Sequence, residues 1–434
     1  MLKAAAPAPA LLREIGRWSL TAGVINCVIG SGIFGLPSSV ARLAGEWSPL
    51  AVVIAGASIL IIVLSFAEVG SRFDQAGGPY LYAREAFGPA TGFHIGWLQV
   101  WTRLLSGAAV LNVLISYLSA LVPVVGTPAG RTITMTAAIF LVTAVNIVGV
   151  RRAAWTVNAL TIAKVLPLLL LVAVGITQMR GDVFATQAVT APNWTEAILL
   201  LVFAYGGFES SVIAASETRD PKRDTAFALL VGMGAVTAIY CLVQLVVVGV
   251  LPHAAQSTTP IAEALRVLLG STGATIGSLA VVVSAYGWLT GFALMTPRVI
   301  FAMAHRQELP AVLGAVHARF RTPYVAIAAN SAVVLGLGLY SNFSQAATIA
   351  AIVRLVLFLA TCGALIVFRR RDREPIGFRV PGGQAVAVAG IVFCVWLLST
   401  RSFAQAWMLL AIMAAGAVLW FAGRRGWFGV VSAT

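Results

Sequence analysis

Long apolar stretches separated by short polar or charged connections occupy the chain from Trp18 onward. A helix needs about 20 apolar residues to cross a bilayer, so stretches of this length predict transmembrane helices. The pattern predicts about twelve of them. The predicted segments are 17–42, 49–67, 91–122, 132–150, 157–177, 195–216, 226–251, 272–302, 324–340, 345–368, 385–399 and 402–423.

The composition excludes a soluble protein. Of the 434 residues, 59% are hydrophobic and only 10% are charged, whereas an ordinary soluble domain has about 25% charged residues. No polar stretch is long enough for a separate soluble domain. We therefore expect an all-α integral membrane protein with a single membrane domain over 1–434. No small-residue cleavage site follows the first apolar run, so we expect that helix to be retained.

The basic residues predict the orientation. With the N-terminus inside, 21 of the 29 Lys and Arg residues fall on the cytoplasmic side, and three lie within segments. The positive-inside rule therefore predicts a multi-pass protein of the cell membrane, the inner membrane in a bacterium, with both termini cytoplasmic. The net charge of +14 sets orientation and does not indicate a nucleic-acid surface. Five residues fall outside: Arg42, Arg131, Arg180, Arg266 and Arg401.

The sequence offers no candidate for catalysis or metal binding. The four Cys and four His residues are scattered, and neither a CxxC pair nor a His-Glu-x-x-His motif occurs. Buried thiols account for the cysteines. We expect no metal, no cofactor and no enzymatic activity.

Segment 1 contains three glycines and a proline between Gly30 and Pro37. Such a run predicts an unwound helix, with a second half-helix that starts near Ile33. Its N–H groups would point into the gap and favour an anionic group. The alternative is a seam of small residues that packs two helices together.

Segment 6 repeats this feature, because Gly206 and Gly207 interrupt it and Glu209 follows. Interruptions at corresponding places of two halves indicate the central binding site of a transporter. The interval between segments 1 and 6 predicts a repeat of five helices, and an odd number of spans makes the second copy inverted.

Several motifs together resemble the amino acid-polyamine-organocation (APC) transporter family. The resemblance covers all twelve segments. The motifs are Gly30-Ser31-Gly32-Ile33-Phe34, Ala67-Glu68-Val69-Gly70, Gly77-Gly78-Pro79-Tyr80, Arg84-Glu85-Ala86-Phe87-Gly88, Phe208-Glu209, Asp220-Pro221-Lys222-Arg223-Asp224 and the region from Pro297-Arg298 through Met303-Ala304 to Thr322-Pro323.

The resemblance implies a leucine-transporter-like fold. It comprises two inverted five-helix repeats, 17–178 and 194–370, followed by two further helices within 380–423. The family's amino acid substrate lies between the broken helices, with its carboxylate on backbone N–H groups and its ammonium on backbone carbonyls. The residues implied for substrate binding are Val28, Ser31, Gly32, Ile33, Phe203, Ala204, Tyr205 and Gly206, with Trp288 as an aromatic wall.

Lys164 lies at the middle of segment 5, where an ammonium is costly unless it is paired or titrates. It matches a lysine that stands in the place of sodium in several family members. The resemblance therefore implies sodium-independent coupling through Lys164. The residue would either carry a proton or tether segment 5 to its neighbours.

Arg103 and Arg354 are the other charges deep in the segments, and Glu209 is the acidic residue at comparable depth. An internal network of Arg103, Glu209 and Arg354 avoids isolated buried charges. The alternative is that Arg103 contacts an acidic substrate. Either arrangement disfavours cationic cargo.

These features together predict a secondary active amino acid transporter that works by alternating access. It would be a proton symporter or an exchanger for a neutral or acidic amino acid. Its partners would be the amino acid, protons in the symport case, and the lipid bilayer. A transporter-like amino acid sensor remains an alternative, and a channel is a weaker one because no polar stripe runs along several segments.

Overall fold

The computed structural model describes residues 16–73, 77–148, 153–214, 221–372 and 377–428, and for 153–163, 212–214 and 221–222 it describes the backbone alone. The described residues form helices and no strand. The α-helices are α1 Arg17–Val28, α2 Ser31–Ala44, α3 Ser48–Gly70, α4 Pro79–Phe87, α5 Pro89–Leu121, α6 Pro128–Val148, α7 Ala153–Gly175, α8 Gly181–Ala185, α9 Trp194–Ala204, α10 Phe208–Ala214, α11 Pro221–Val250, α12 Pro260–His305, α13 Tyr324–Tyr340, α14 Phe343–Arg371, α15 Gly383–Ser399 and α16 Phe403–Arg424.

The all-helical fold class is confirmed. Each of the twelve predicted segments coincides with one helix or, for segments 1 and 6, with a pair of short helices. Among the described residues, seven helical stretches are long and apolar enough to cross a membrane by length and composition, and three shorter apolar helices accompany them. Large apolar side chains such as Ile133, Phe140 and Val418 are exposed on the surface of the helix bundle, as expected for a surface that faces lipid.

Some predicted bounds were wrong. α2 begins at Ser31, two residues before the predicted start at Ile33. The span Pro260–His305 of α12 is divided by a non-helical Gly270 with φ 69°, so the predicted start at residue 272 corresponds to its second part. The short helices α4 and α8 were not predicted, because neither is long enough to give a membrane signal.

Several residues used in the predictions from sequence lie outside the described residues. They are Val150 and Ser216 at the ends of segments 4 and 6, Asp220 of the motif that continues to Asp224, and the basic residues Lys3, Arg13, Arg151, Arg152, Arg219 and Arg373.

Two helices form the centre of the bundle. The most apolar windows of α5 and α14 are 72% buried, whereas that of α16 is only 11% buried. α5 packs along α12 and α14, α1 packs against α11, and α2 packs against α9. The interrupted pairs α1/α2 and α9/α10 therefore lie inside the bundle, and α16 lies at its edge.

A buried ion pair explains the Ala67–Gly70 motif. Glu68, which is 1% exposed, accepts two hydrogen bonds from Arg369 at 2.7 and 2.6 Å and a third from the Val380 N–H at 2.8 Å. Such a bidentate pair fixes geometry as well as charge. It therefore joins the end of α3 to the end of α14 and to the segment before α15.

A second polar cluster connects α4 to the end of α12. The Tyr80 hydroxyl accepts hydrogen bonds from Arg84 and Arg306 and donates to Glu308 Oε1 at 3.3 Å. Glu308 Oε2 is buried and has no partner among the described residues. Burial raises the pKa of Glu308 above its ordinary value, against the opposing effect of the neighbouring arginines.

Candidate functional site

The first interruption lies between α1 and α2. Ile29 and Gly30 have extended backbone, with φ and ψ of −129° and −150° at Gly30. The N–H groups of Ser31, Gly32 and Ile33 open the new helix, and no side chain caps them. These residues are buried, and none of the three N–H groups has an acceptor among the described residues. A buried helix N-terminus without acceptors favours an anionic group.

Three of the carbonyl groups near the end of α1 do have partners. Ile25 O accepts from the Ile29 N–H at 2.9 Å, and Asn26 O accepts from the Lys164 ammonium. Val28 O accepts from the Tyr240 hydroxyl at 3.0 Å. A cation at a helix C-terminus is stabilised by the helix dipole. Lys164, which is 7% exposed, therefore closes the negative end of α1.

The second interruption comprises Tyr205, Gly206 and Gly207, between α9 and α10. Phe203 O accepts from Arg354 Nη1 at 3.2 Å and from the Gly206 N–H at 3.1 Å. Ala204 O lies 3.2 Å from the Tyr240 hydroxyl, whose single proton is shared between Val28 O and Ala204 O. The same tyrosine therefore bonds to the last carbonyls of both α1 and α9.

Glu209 and Arg354 form an ion pair beside the second interruption. Arg354 Nε lies 3.1 Å from Glu209 Oε1, and the two side chains are 8% and 11% exposed. Glu209 Oε2 accepts from the Gly207 N–H at 2.8 Å. Both carboxylate oxygens are thus bonded within the protein, and the predicted partnership of Glu209 with Arg354 is present in the structure.

Arg103 lies beside this pair, bonded to the residue that follows Glu209. Its Nη2 donates to Ser210 Oγ at 3.2 Å, and no ion pair within 4 Å joins Arg103 to Glu209 or to another described carboxylate. Arg103, Lys164 and Arg354 therefore contribute three positive charges near the interruptions, and Glu209 contributes one negative charge. The resulting excess of positive charge favours an anion and opposes a cation.

The two interruptions are in direct contact. A Cβ at position 32 would lie 2.6 Å from the Cα of Ala204, so Gly32 packs against the backbone of α9. At Gly207, φ is +120°, and a Cβ would lie 2.3 Å from the Cys27 carbonyl oxygen. Glycine is required at both positions, because a side chain would separate the helices.

Trp288 borders the first interruption. Its indole Nε1 lies 3.6 Å from the place that a Gly30 Cβ would occupy, and its ring stacks on Phe292 with centroids 5.1 Å apart. Phe203 contacts Phe343 edge-on, with ring centroids 6.1 Å apart. The Tyr205 side chain instead points to α3, where its hydroxyl donates to Val52 O at 2.9 Å. Tyr205 is one of the residues predicted for substrate binding, and only its backbone lies at the interruption.

Comparison with known proteins identifies the family. The family model for amino acid permeases matches residues 15–428. The chain belongs to the amino acid permease family. This permease is 30% identical to the serine/threonine exchanger SteT of Bacillus subtilis (strain 168), over 86% of this chain and 87% of that protein. It is 27% identical to the branched-chain amino acid permease BcaP of the same organism, over 95% and 93% of the two chains.

A third relative is named for a different substrate. The methylthioribose transporter of Bacillus subtilis (strain 168) is 26% identical, over 97% of this chain and 95% of that protein. The permease is thus a multi-pass membrane protein of a family whose members include amino acid carriers, and the resemblance to APC transporters is confirmed.

Sequence reasoning missed two polar residues of the permease on α11. Tyr240 bonds to both interruptions, and Gln244 Nε2 donates to Pro37 O at 3.1 Å and to Ser48 Oγ at 3.0 Å. They lie four residues apart and share one face of the helix. Two polar side chains at this spacing in an otherwise apolar segment are a signal that could have identified them.

Proposed function

We propose that this permease is a sodium-independent secondary transporter of a zwitterionic amino acid. It would bind the substrate carboxylate on the N–H groups of Ser31, Gly32 and Ile33 and work by alternating access. The observation that carries the proposal is the buried start of α2, whose N–H groups have no acceptor among the described residues. A carboxylate is the common group of amino acids that would occupy such a place.

The surroundings of the interruptions support a neutral or acidic substrate over a cationic one. Glu209 is engaged by Arg354 and by the Gly207 N–H, so it is not available for a second guanidinium or ammonium. Arg103 has only a neutral hydroxyl as its hydrogen-bond partner among the described residues. An acidic substrate would therefore add a carboxylate to Arg103, and a neutral substrate would leave the bond to Ser210 in place.

The place of Lys164 supports transport without sodium. A sodium ion needs oxygen ligands such as backbone carbonyls, and the ammonium of Lys164 already occupies the Asn26 carbonyl at the end of α1. Two cations at this position would repel one another strongly. The permease would use either a proton gradient or exchange with internal amino acid.

The proposal also covers the two inverted repeats and the orientation of the chain in the cell membrane. We assign 17–178 and 194–370 to two inverted repeats that move around the interruptions. The chain would lie in the cell membrane with both termini in the cytoplasm. The paired interruptions and the distribution of basic residues support this arrangement.

The decisive experiment is uptake of radiolabelled L-serine, L-leucine, L-glutamate and L-lysine into liposomes that contain the purified protein. We expect uptake of serine, leucine or glutamate, exclusion of lysine, and an unchanged rate when choline replaces sodium. If glutamate is carried, Arg103→Gln would reduce glutamate uptake far more than serine uptake. Uptake driven by an inward pH gradient would identify symport, and strict dependence on internal amino acid would identify exchange.

Three results would contradict the proposal. A strict sodium requirement would show that Lys164 does not replace the ion. Binding without flux for every amino acid would favour a sensor. Uptake of methylthioribose in the absence of amino acid uptake would show that the N–H groups of α2 serve a different cargo.

A further inference from the structure

A polar cavity of about 420 Å³ lies away from the interruptions, where α5 ends and α12 begins. Its volume is within the range of about 300–1,000 Å³ that is typical of small-molecule sites. Hydroxyl groups from two elements face it, and one carboxylate and one guanidinium complete its polar lining. The polar lining residues are Ser116, Ser119, Thr258, Thr259, Glu263 and Arg266.

The two charges of this cavity are not joined to one another. Glu263 and Arg266 lie three residues apart on α12, a spacing at which opposite charges usually interact. No ion pair within 4 Å joins them, and the Glu263 carboxylate instead accepts from Thr259 Oγ1 at 3.1 Å. Arg266 is exposed and has no hydrogen bond or ion pair with any described residue.

Of the other arginines that the sequence assigns to the same side of the membrane, three have partners, and Arg42, which has none among the described residues, does not line the cavity. Arg180 pairs with Asp182 at 2.6 Å, Arg401 pairs with Glu196 at 2.6 Å, and Arg131 donates to Asn112 Oδ1 at 2.8 Å. Arg266 therefore offers a free guanidinium within a built cavity, a few residues from a carboxylate that also lines it. This arrangement presents one charge of each sign to a ligand.

The wall of the cavity is connected to the first interruption. Tyr117, the neighbour of Ser116, donates its hydroxyl proton to Phe34 O of α2 at 2.8 Å. The same hydroxyl accepts from the Ile261 N–H at the start of α12 at 3.3 Å. Tyr117 thus joins α2 to the start of α12 next to the cavity.

We propose that this cavity is a second binding site, on the outer side, for a zwitterionic amino acid. Its carboxylate would bind Arg266 and its ammonium would bind Glu263, because charge-assisted hydrogen bonds of this kind are the strong ones. Leu251 and Val267, which also line the cavity, would contact the ligand's side chain. The outer placement and the class of ligand rest on the proposed function, and the site would load substrate before it reaches the interruptions.

A protection experiment tests this site without requiring transport. Ser119→Cys places a thiol in the cavity of the full-length protein, and the unmodified chain gives the background from its own cysteines. We expect external L-serine, L-leucine or L-glutamate to slow modification of Cys at position 119 by a membrane-impermeant thiol reagent. N-acetyl-L-serine, which lacks the ammonium, and L-serinamide, which lacks the carboxylate, should protect poorly.

The charged residues are then tested in the same background. Arg266→Gln and Glu263→Gln should each raise the concentration needed for protection about tenfold, as expected for loss of a hydrogen bond to a charged group. In liposomes these variants should raise the external KM by a similar factor and leave the maximal uptake rate unchanged. Arg180→Gln, which alters an exposed outer arginine away from the cavity, is the matched control and should change neither value.

The outcomes separate this site from the proposed function. Absence of protection by all three amino acids, or protection that persists in Arg266→Gln and Glu263→Gln, would overturn the outer site even if uptake is normal. Protection that needs both charges, in a protein that carries no amino acid, would retain the site and refute the proposed function.

Discussion

Each of the two interruptions separates a pair of short helices, but only the second has a carboxylate of the protein beside it. At the second interruption the protein supplies its own carboxylate, because Glu209 accepts from the Gly207 N–H and pairs with Arg354. At the first interruption no described carboxylate or other acceptor meets the N–H groups of Ser31, Gly32 and Ile33. A helix N-terminus buried in this way favours an anion.

Under the proposed function, this difference gives the two interruptions different roles in substrate binding. The second one is held by contacts from α14, which include the bond from Arg354 to Phe203 O. The first one has its carbonyl groups fixed by Lys164 and Tyr240 but keeps its N–H groups open. The second interruption would therefore form a fixed wall, and the first would provide the variable polar contact that a substrate completes.

Disrupting the internal charge pair should have the largest effect. Arg354→Gln would leave Glu209 buried with one hydrogen-bond donor fewer and without its cation. Removal of one partner from a buried pair costs about 3–5 kcal/mol. We expect the free energy of unfolding to fall by this amount, measured as a lower midpoint of thermal unfolding in detergent.

The control for this prediction is the double variant Glu209→Gln/Arg354→Gln, which removes both charges and should recover much of the lost stability. Arg298→Gln, at an exposed arginine of α12, should unfold like the unmodified protein. If Arg354→Gln and the double variant unfold at the same temperature as the unmodified protein, the pair does not hold the second interruption.

Closing the space between the interruptions should have the next largest effect. Gly32→Val would place a Cβ 2.6 Å from the Cα of Ala204, a backbone atom that cannot rotate away. Overpacking of this kind costs about 1–3 kcal/mol, and the displaced start of α2 would lose substrate binding. Equilibrium binding of a transported radiolabelled amino acid measures this loss.

The matched control is Gly23→Val on α1, where an added Cβ would meet no heavy atom within 4 Å. It should retain binding. Normal binding by a folded Gly32→Val protein would argue against both the close packing of α2 on α9 and the assignment of the carboxylate to this helix start.

The sequence was sufficient to locate the two helix interruptions, but it did not predict the hydrogen bonds and packing contacts that they make. Glycine and proline within an apolar stretch lower the stability of a helix, so the regions around Gly30 and Gly206 could be located from residue types alone. The start of α2 was predicted two residues late. Gly32 belongs to the helix because its lack of a side chain allows contact with Ala204, and that contact depends on the packing of a distant segment.

The partners of the buried charges depend on how helices are aligned with one another. Charge alone predicted that Glu209 needs a cation, but Arg103 and Arg354 were both candidates. The alignment of α5 places Arg103 next to Ser210, and that of α14 places Arg354 next to Glu209. A periodic pattern along one chain carries no information on such alignment, so the spacing of Tyr240 and Gln244 could have marked a polar face of α11 but not the carbonyls that it meets.

The smallest of the expected effects should come from the hydroxyl that joins the two interruptions. Tyr240→Phe removes the donor to Val28 O and Ala204 O and retains the ring, which contacts Tyr205 with centroids 5.4 Å apart. A buried group that loses its partner costs about 1–3 kcal/mol. Because a single hydroxyl bonds to both interruptions, we expect a loss of stability near the lower end of this range, together with weaker substrate binding.

Tyr205→Phe is the matched control, since its hydroxyl donates to Val52 O of α3 and not to an interruption. Both variants should lose similar stability, but only Tyr240→Phe should weaken binding. Equal binding by the two variants would show that the interruptions are positioned independently of one another, and that the contrast between them does not depend on a shared contact.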